Sequence, residues 1–145
     1  MSFTHTVYII AINGGHVVEA DNTGKEIKTQ KATVSKSQQW VVERKDAHKA
    51  DEFALRNVAT NAYLGAPKGV SGTYCTTNTK QFWRAEPGHA PGSFWLKNLE
   101  FDDACLCNSG AKTTANSIVY MWQKDDGWVQ SMLWYLRDVN DKGLF

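Results

Sequence analysis

The sequence predicts an all-β fold in which twelve short strands form three pseudo-symmetric repeats within a single domain, residues 1–145. No stretch sustains apolar residues at i, i+3, i+4 and i+7, which argues against long amphipathic helices. Short runs rich in β-branched and aromatic residues are instead separated by turn residues, as at 13–15 and 125–127. Trp40, Trp83 and Trp134 follow one another at similar distances, and this spacing indicates an internal repeat.

Each repeat has the same order of elements. The opening strand begins with an aromatic residue and has an aliphatic residue two positions later, at 8–12, 53–57 and 94–98. A second strand follows at 16–20, 62–66 and 104–108, and each unit closes with its tryptophan. The repeats span roughly 6–47, 48–90 and 91–145, and the third is the longest because it carries an insertion. We expect the three indoles to meet near the pseudo-threefold axis and fill a shared core.

Charge and hydropathy exclude two classes of partner. The chain carries 16 Lys and Arg against 15 Asp and Glu, spread along its length, so we expect no nucleic-acid surface. The apolar run 7–12 is far shorter than the roughly 20 residues that cross a bilayer, so membrane insertion is not expected. The charged segment 43–52 predicts an exposed connection between strands.

Two features predict a cytoplasmic protein. The first six residues contain no Lys or Arg of the kind that precedes a signal-peptide core. Cys75, Cys105 and Cys107 are an odd number in a chain large enough to fold without disulfides, which indicates reduced thiols. No His or second Cys pair stands at zinc spacing, so we expect neither a metal nor another cofactor.

Two tryptophans close a short motif. The chain has Gln38-Gln39-Trp40 and Gln81-Phe82-Trp83, and Trp134 ends a third segment in which the glutamine is lost. This repeated Gln-x-Trp signature resembles that of the ricin B-type β-trefoil lectins, over essentially the whole chain. The chain is most similar to small cytoplasmic fungal trefoil lectins, a group akin to the lectin-like light subunit of mushroom tyrosinase. The resemblance implies a β-trefoil in which the tryptophan is a core residue and the glutamine braces a strand.

The resemblance also implies where a sugar would bind. Each family site combines an Asp after the second strand's Leu, an aromatic residue ending the third strand, and an Asn three residues beyond. The first repeat has Glu19 and Asp21 but no aromatic residue in 27–31, and the second has Gly65 in place of the Asp, beside Tyr74. The third repeat retains most of the pattern, with Cys107 at the acidic position. We therefore predict carbohydrate binding by Asn108, Trp122, Asp125 and Asp126.

Two further tryptophans indicate either a protein interface or positions covered by a neighbouring loop. Trp95 is one residue out of phase with the core-facing Phe94 and Leu96, so we expect it to point outward, and Trp128 follows a turn. No nucleophile elbow, phosphate-binding glycine loop or His-Glu-x-x-His motif occurs, and the histidines are scattered, so no catalytic residues are predicted.

Three functions follow from these observations. The first is a non-catalytic lectin that binds a neutral glycan. The second is a lectin-like partner subunit that docks on another protein through Trp95 or Trp128. The third is a trefoil protease inhibitor that acts through a protruding loop, for which the insertion in the third repeat is the only indication.

Overall fold

The computed structural model describes residues 6–21, 23, 26–77, 80–101, 104–109, 114–123 and 131–140. These residues form one short 3-10 turn, Lys36–Gln38, and ten strands. The strands are β1 Thr6–Ala11, β2 Val17–Ala20, β3 Ile27–Gln30, β4 Trp40–Asp46, β5 Lys49–Asn57, β6 Trp83–Pro87, β7 Phe94–Asn98, β8 Ala104–Asn108, β9 Ser117–Gln123 and β10 Leu133–Asp138. The predicted all-β class is confirmed.

The strands pair antiparallel throughout, and six of them close on themselves. β1 pairs with both β10 and β4, and the ring continues through β5, β6 and β7 back to β10. The hairpins β2–β3 and β8–β9 lie against this ring and contact each other where β3 pairs with β9. A closed ring with attached hairpins defines a β-trefoil-like fold, and closure leaves the ring without a free edge.

Twelve strands were expected, and the described residues form ten. In the segment expected to be the middle repeat, isolated bridges pair Arg56 with Tyr63 and Gly65 with Thr76 where two further strands were expected. The chain between these bridges contains Pro67, Gly69 and Gly72. Proline has no N–H to donate, and glycine weakens a strand interior, so the pairing is reduced to single bridges.

The three closing tryptophans meet in one core, as predicted. Trp40, Trp83 and Trp134 are each fully buried and belong to the same apolar cluster. Strand residues from all three repeats surround them, including Val7, Ile9, Phe53, Leu55, Leu96 and Leu106. Aromatic side chains bury more apolar surface than any others, so one indole from each repeat fills much of this shared interior.

One hydrogen bond recurs in all three repeats and provides a common reference point. The indole nitrogen of each closing tryptophan donates to a main-chain carbonyl of the preceding second-strand segment. The pairs are Trp40 with Val18 at 3.1 Å, Trp83 with Leu64 at 3.0 Å, and Trp134 with Leu106 at 2.9 Å.

The glutamines of the Gln-x-Trp motif brace loops next to the core. The Gln81 amide donates to the carbonyl of Ala66 at 2.8 Å and accepts from its N–H at 2.9 Å. Gln38 accepts from the N–H of Thr33 at 2.9 Å and donates to the carbonyl of Lys31 at 2.9 Å. A buried amide that both donates and accepts satisfies main-chain groups that would otherwise lack partners.

The charged segment 43–52 was expected to be an exposed connection. Most of it is exposed, but it forms strands rather than a connection. The segment belongs to a long hairpin of β4 and β5, with Ala47 and His48 at the turn. Two of its carboxylates form ion pairs, since Glu43 contacts Arg56 at 2.8 Å and Glu52 contacts Arg84 at 2.8 Å. No helix among the described residues is long and apolar enough to span a membrane.

Candidate functional site

The third-repeat hairpin, β8–β9, presents two different faces. Its register places Leu106 opposite Met121, and both side chains are buried in the main core. The residues that alternate with Leu106 and Met121 along these two strands face away from the core, because successive side chains of a strand point to opposite sides. On this outer face Cys105 is opposite Trp122 and Cys107 is opposite Tyr120.

Trp122, the predicted stacking residue, lies half-buried on this outer face beside Tyr120. The two ring centroids are 5.5 Å apart and the ring planes are tilted by 34°. Both rings pack against a second apolar cluster formed by Trp95, Cys105, Cys107, Met132 and Leu133. The indole is therefore supported from beneath while part of its surface stays open to solvent.

Cys107 stands where the resemblance places an acidic side chain. The thiol is 3% exposed, and burial raises its pKa to about 11, although hydrogen bonds with Ser131 and Tyr120 act in the opposite direction. At neutral pH the group is an uncharged thiol. It cannot supply the charged acceptor that a carboxylate would offer to sugar hydroxyls.

Asn108 does not share a face with Trp122. Its cross-strand partner is Val119, a fully buried core residue, and Asn108 itself is only 2% exposed. Directly opposite residues of an antiparallel pair point to the same side of the sheet, so the Asn108 side chain faces the core. Asp125 and Asp126 lie outside the described residues, and their part in the site remains a prediction.

The prediction that Trp95 is exposed to a partner is wrong. Its side chain is 7% exposed and belongs to the cluster beneath Trp122. Trp95 does face away from the tryptophan core, as strand alternation requires, but Met132 and Leu133 cover it as a second layer. Trp128, the other predicted interface residue, lies outside the described residues.

The shared indole hydrogen bond allows the first and third repeats to be aligned. Val18 pairs with Thr29 in the first repeat, and Leu106 pairs with Met121 in the third. The residue after Thr29 is Gln30 and the residue after Met121 is Trp122, so Gln30 is the first-repeat equivalent of Trp122. In the same way Glu19, which follows Val18, is the equivalent of Cys107, which follows Leu106.

The first-repeat position is a polar cleft of about 180 Å³. Its lining consists of Glu19, Asp21, Glu26, Lys28, Gln30 and Asn116, with no aromatic residue.

These polar groups largely satisfy one another. Glu19 accepts a hydrogen bond from Gln38 at 3.0 Å, Glu26 pairs with Lys28 at 3.2 Å, and Gln30 donates to Asn116 at 3.1 Å. The acidic side chain of the family pattern, Glu19, is thus in the first repeat, whereas the aromatic residue, Trp122, is in the third.

Sequence reasoning missed Tyr120 as a member of the third-repeat site. The signal was present, because Tyr120 and Trp122 are two residues apart on one strand and must share a face. No group of three or more His, Cys, Asp or Glu within the described ranges has a geometry that could hold a metal ion. What the outer face offers is an aromatic platform of two rings on a neutral, buried support.

Comparison with known proteins identifies the family of this β-trefoil-like fold. Residues 36–122 match the model of the ricin-type beta-trefoil lectin domain-like family, and the chain belongs to that family. No curated protein sequence matches the chain significantly.

Solved structures share the fold. The Macrolepiota procera ricin B-like lectin in complex with lactose has a TM-score of 0.81 at 22% identity, covering 95% of this chain and 98% of that one. The Rhizoctonia solani agglutinin has a TM-score of 0.79 at 13% identity, with 93% and 95% covered. SeviL bound to asialo-GM1 saccharide has a TM-score of 0.69 at 15% identity, with 93% and 98% covered. At these identities the likeness establishes the fold.

Proposed function

We propose that this protein is a non-catalytic lectin that binds a neutral glycan on the outer face of the β8–β9 hairpin. The observation that carries the proposal is the half-open indole of Trp122, held 5.5 Å from Tyr120 above a buried cluster. It occupies the position at which the family resemblance puts the stacking aromatic residue. Relatives in the fold were solved with lactose and with the asialo-GM1 saccharide, and these two neutral glycans are the first ligands to test.

Stacking is the main interaction in this proposal. The C–H face of a pyranose packs on an indole, and nearby polar groups fix its hydroxyls by hydrogen bonds. Because Cys107 is neutral and Asn108 faces the core, we assign the hydroxyl contacts to Asp125 and Asp126. The absence of the usual carboxylate makes binding depend more on Trp122 than in a relative that has the acid.

A glycan array followed by calorimetry tests the proposal. Trp122→Ala should weaken binding of the selected glycan by about 1–3 kcal/mol, or about 5- to 150-fold, because it removes the stacking surface. Gln30→Ala is the matched control, since it changes the equivalent position of the first repeat. Absence of binding to every glycan on the array would refute the lectin proposal. Loss of affinity in Gln30→Ala alone would move the site to the first-repeat cleft.

We also propose that the trefoil comprises three repeats of four strands, with segments 62–66 and 74–76 as the second and third strands of the middle repeat. The recurring indole-to-carbonyl bond supports this assignment, because Leu64 takes the place of Val18 and Leu106. The bridge between Gly65 and Thr76 supports it as well.

The cytoplasmic location is likewise a proposal. All three cysteines are buried free thiols, which is the state that a reducing compartment maintains. The partner-subunit alternative is weakened, because one of its two supporting residues, Trp95, is buried.

A further inference from the structure

A segment of the second repeat pairs with β9 on the edge opposite β8, next to the residues that pair with β3. Tyr74 forms a bridge with Tyr120, and the Met121 N–H donates to the carbonyl of Thr73 at 2.7 Å. The Gly72 N–H in turn donates to the carbonyl of Met121 at 2.8 Å. The second repeat therefore contributes a strand-like segment to the sheet that carries Trp122.

This pairing brings a third aromatic side chain to the outer face. Tyr74 and Tyr120 are direct cross-strand neighbours, so their side chains point to the same side of the sheet. Tyr120 is in ring contact with Trp122 at 5.5 Å between centroids. Tyr74 is 54% exposed, so its ring is open to a ligand. The three rings therefore lie on the same side of the sheet, with Tyr74 directly across from Tyr120 and Tyr120 in contact with Trp122.

Gly72 leaves open space on the Tyr74 side of β9. Its N–H donates to the carbonyl of Met121, the residue that precedes Trp122, at 2.8 Å. Gly72 has φ +91°, and a Cβ built on it would meet no atom within 4 Å. Gly72 itself therefore places no side chain against this part of the strand.

The charge on this face favours a neutral ligand. The outward residues of β9 and of the paired segment are uncharged: Ile118, Tyr120, Trp122, Gly72, Tyr74 and Thr76. Among the described residues, the nearest charged residue in register is Lys28, opposite Ile118 at the far end of the row. An aromatic row without charge suits a ligand that has apolar faces and neutral polar edges, and a chain of neutral sugars has both.

We propose that Tyr74 extends the Trp122 site across the repeat boundary, so that the site takes a neutral oligosaccharide of at least two consecutive sugars. One sugar stacks on Trp122, and the next lies across Tyr120 towards Tyr74. The inference rests on the proposed lectin function and adds the size of its ligand.

The experiment is a glycan array that carries monosaccharides beside neutral oligosaccharides built from them, with galactose and lactose as one such pair. Affinities of the best pair are then measured by calorimetry for the wild type and three variants. Tyr74→Ala removes the ring, Tyr74→Phe retains it, and Val70→Ala changes an exposed residue of the same loop. Thermal melting of each variant verifies that it is folded.

The wild type should bind the oligosaccharide at least about tenfold more tightly than its monosaccharide, a difference that one additional sugar contact can supply. Tyr74→Ala should abolish that difference and leave monosaccharide affinity unchanged, while Tyr74→Phe and Val70→Ala should retain it. Equal wild-type affinity for both ligands overturns the extended site, whatever the variants do. So does a Tyr74→Ala variant that retains the difference, or one that weakens both ligands equally. In these cases the lectin proposal stands, whereas binding to no glycan at all refutes both proposals.

Discussion

Trp83→Ala, which truncates one of the three core tryptophans, is the sharpest test of the fold. The indole is fully buried, and its nitrogen donates to the carbonyl of Leu64 at 3.0 Å. Truncating a buried tryptophan to alanine costs about 3–5 kcal/mol, because contacts are lost and a cavity remains. The Leu64 carbonyl also loses its indole donor. We therefore expect a loss of about 4 kcal/mol, a large share of the roughly 5–15 kcal/mol that stabilises a typical domain.

Urea unfolding, followed by both circular dichroism and fluorescence, measures this loss. With an m-value of about 1–3 kcal/mol/M, the midpoint should fall by roughly 1.3–4 M while the slope stays constant. Trp83→Phe retains one aromatic ring and removes the pyrrole part of the indole with its donor, so it leaves a smaller cavity and should cost less than Trp83→Ala, about 1–3 kcal/mol. Trp122→Ala is the control, because its half-buried ring lies outside this core. A Trp83→Ala protein that unfolds at the wild-type midpoint would contradict the shared-core account.

Three further predictions concern buried polar groups. Gln81→Ala should destabilise the protein by about 2–4 kcal/mol in urea unfolding, because the amide also accepts from Asn98 at 2.8 Å and its partners would be left unsatisfied. The hydrogen bond from Arg84 lowers the pKa of Glu52 in the folded protein below its ordinary value of 4.5. The ionised Glu52 carboxylate therefore stabilises the fold fully above pH 4.5, and this stabilisation is lost as the pH falls through the lower pKa of the folded protein. Stability measured from pH 7 to pH 3 should therefore fall less steeply for Glu52→Gln than for the wild type, and parallel curves would contradict this. Burial raises the pKa of Cys75 and that of Cys107, so a thiol reagent at pH 8 should react with them only after unfolding, and rapid labelling of the native protein would contradict their burial.

The core could be predicted from sequence because its signal is local and repeated. Trp40, Trp83 and Trp134 each end a unit of similar composition, and closure of three units needs a large side chain from each. The charged hairpin could not be predicted in the same way. Glu43 and Glu52 find their partners only once β4, β5 and β6 are assembled, so the charges suggested a solvated connection although they lie on paired strands.

The candidate site shows a similar division. Strand alternation correctly set Trp95 out of phase with the core, but the covering layer of Met132 and Leu133 comes from a distant segment. The same alternation applied to Cys107 and Asn108 would have placed Asn108 on the core face. The neighbours of Trp122 depend on pairing between repeats, which brings Gly72 and Tyr74 to β9. That register is not encoded in any short stretch of sequence.

The central claim is that a neutral glycan stacks on Trp122, and a crystal structure with the tightest-binding array glycan tests it most directly. The account predicts one sugar ring packed on the indole of Trp122, with the chain continuing across Tyr120 towards Tyr74. A glycan found instead in the polar cleft between Glu19 and Gln30, with the Trp122 face empty, would contradict it.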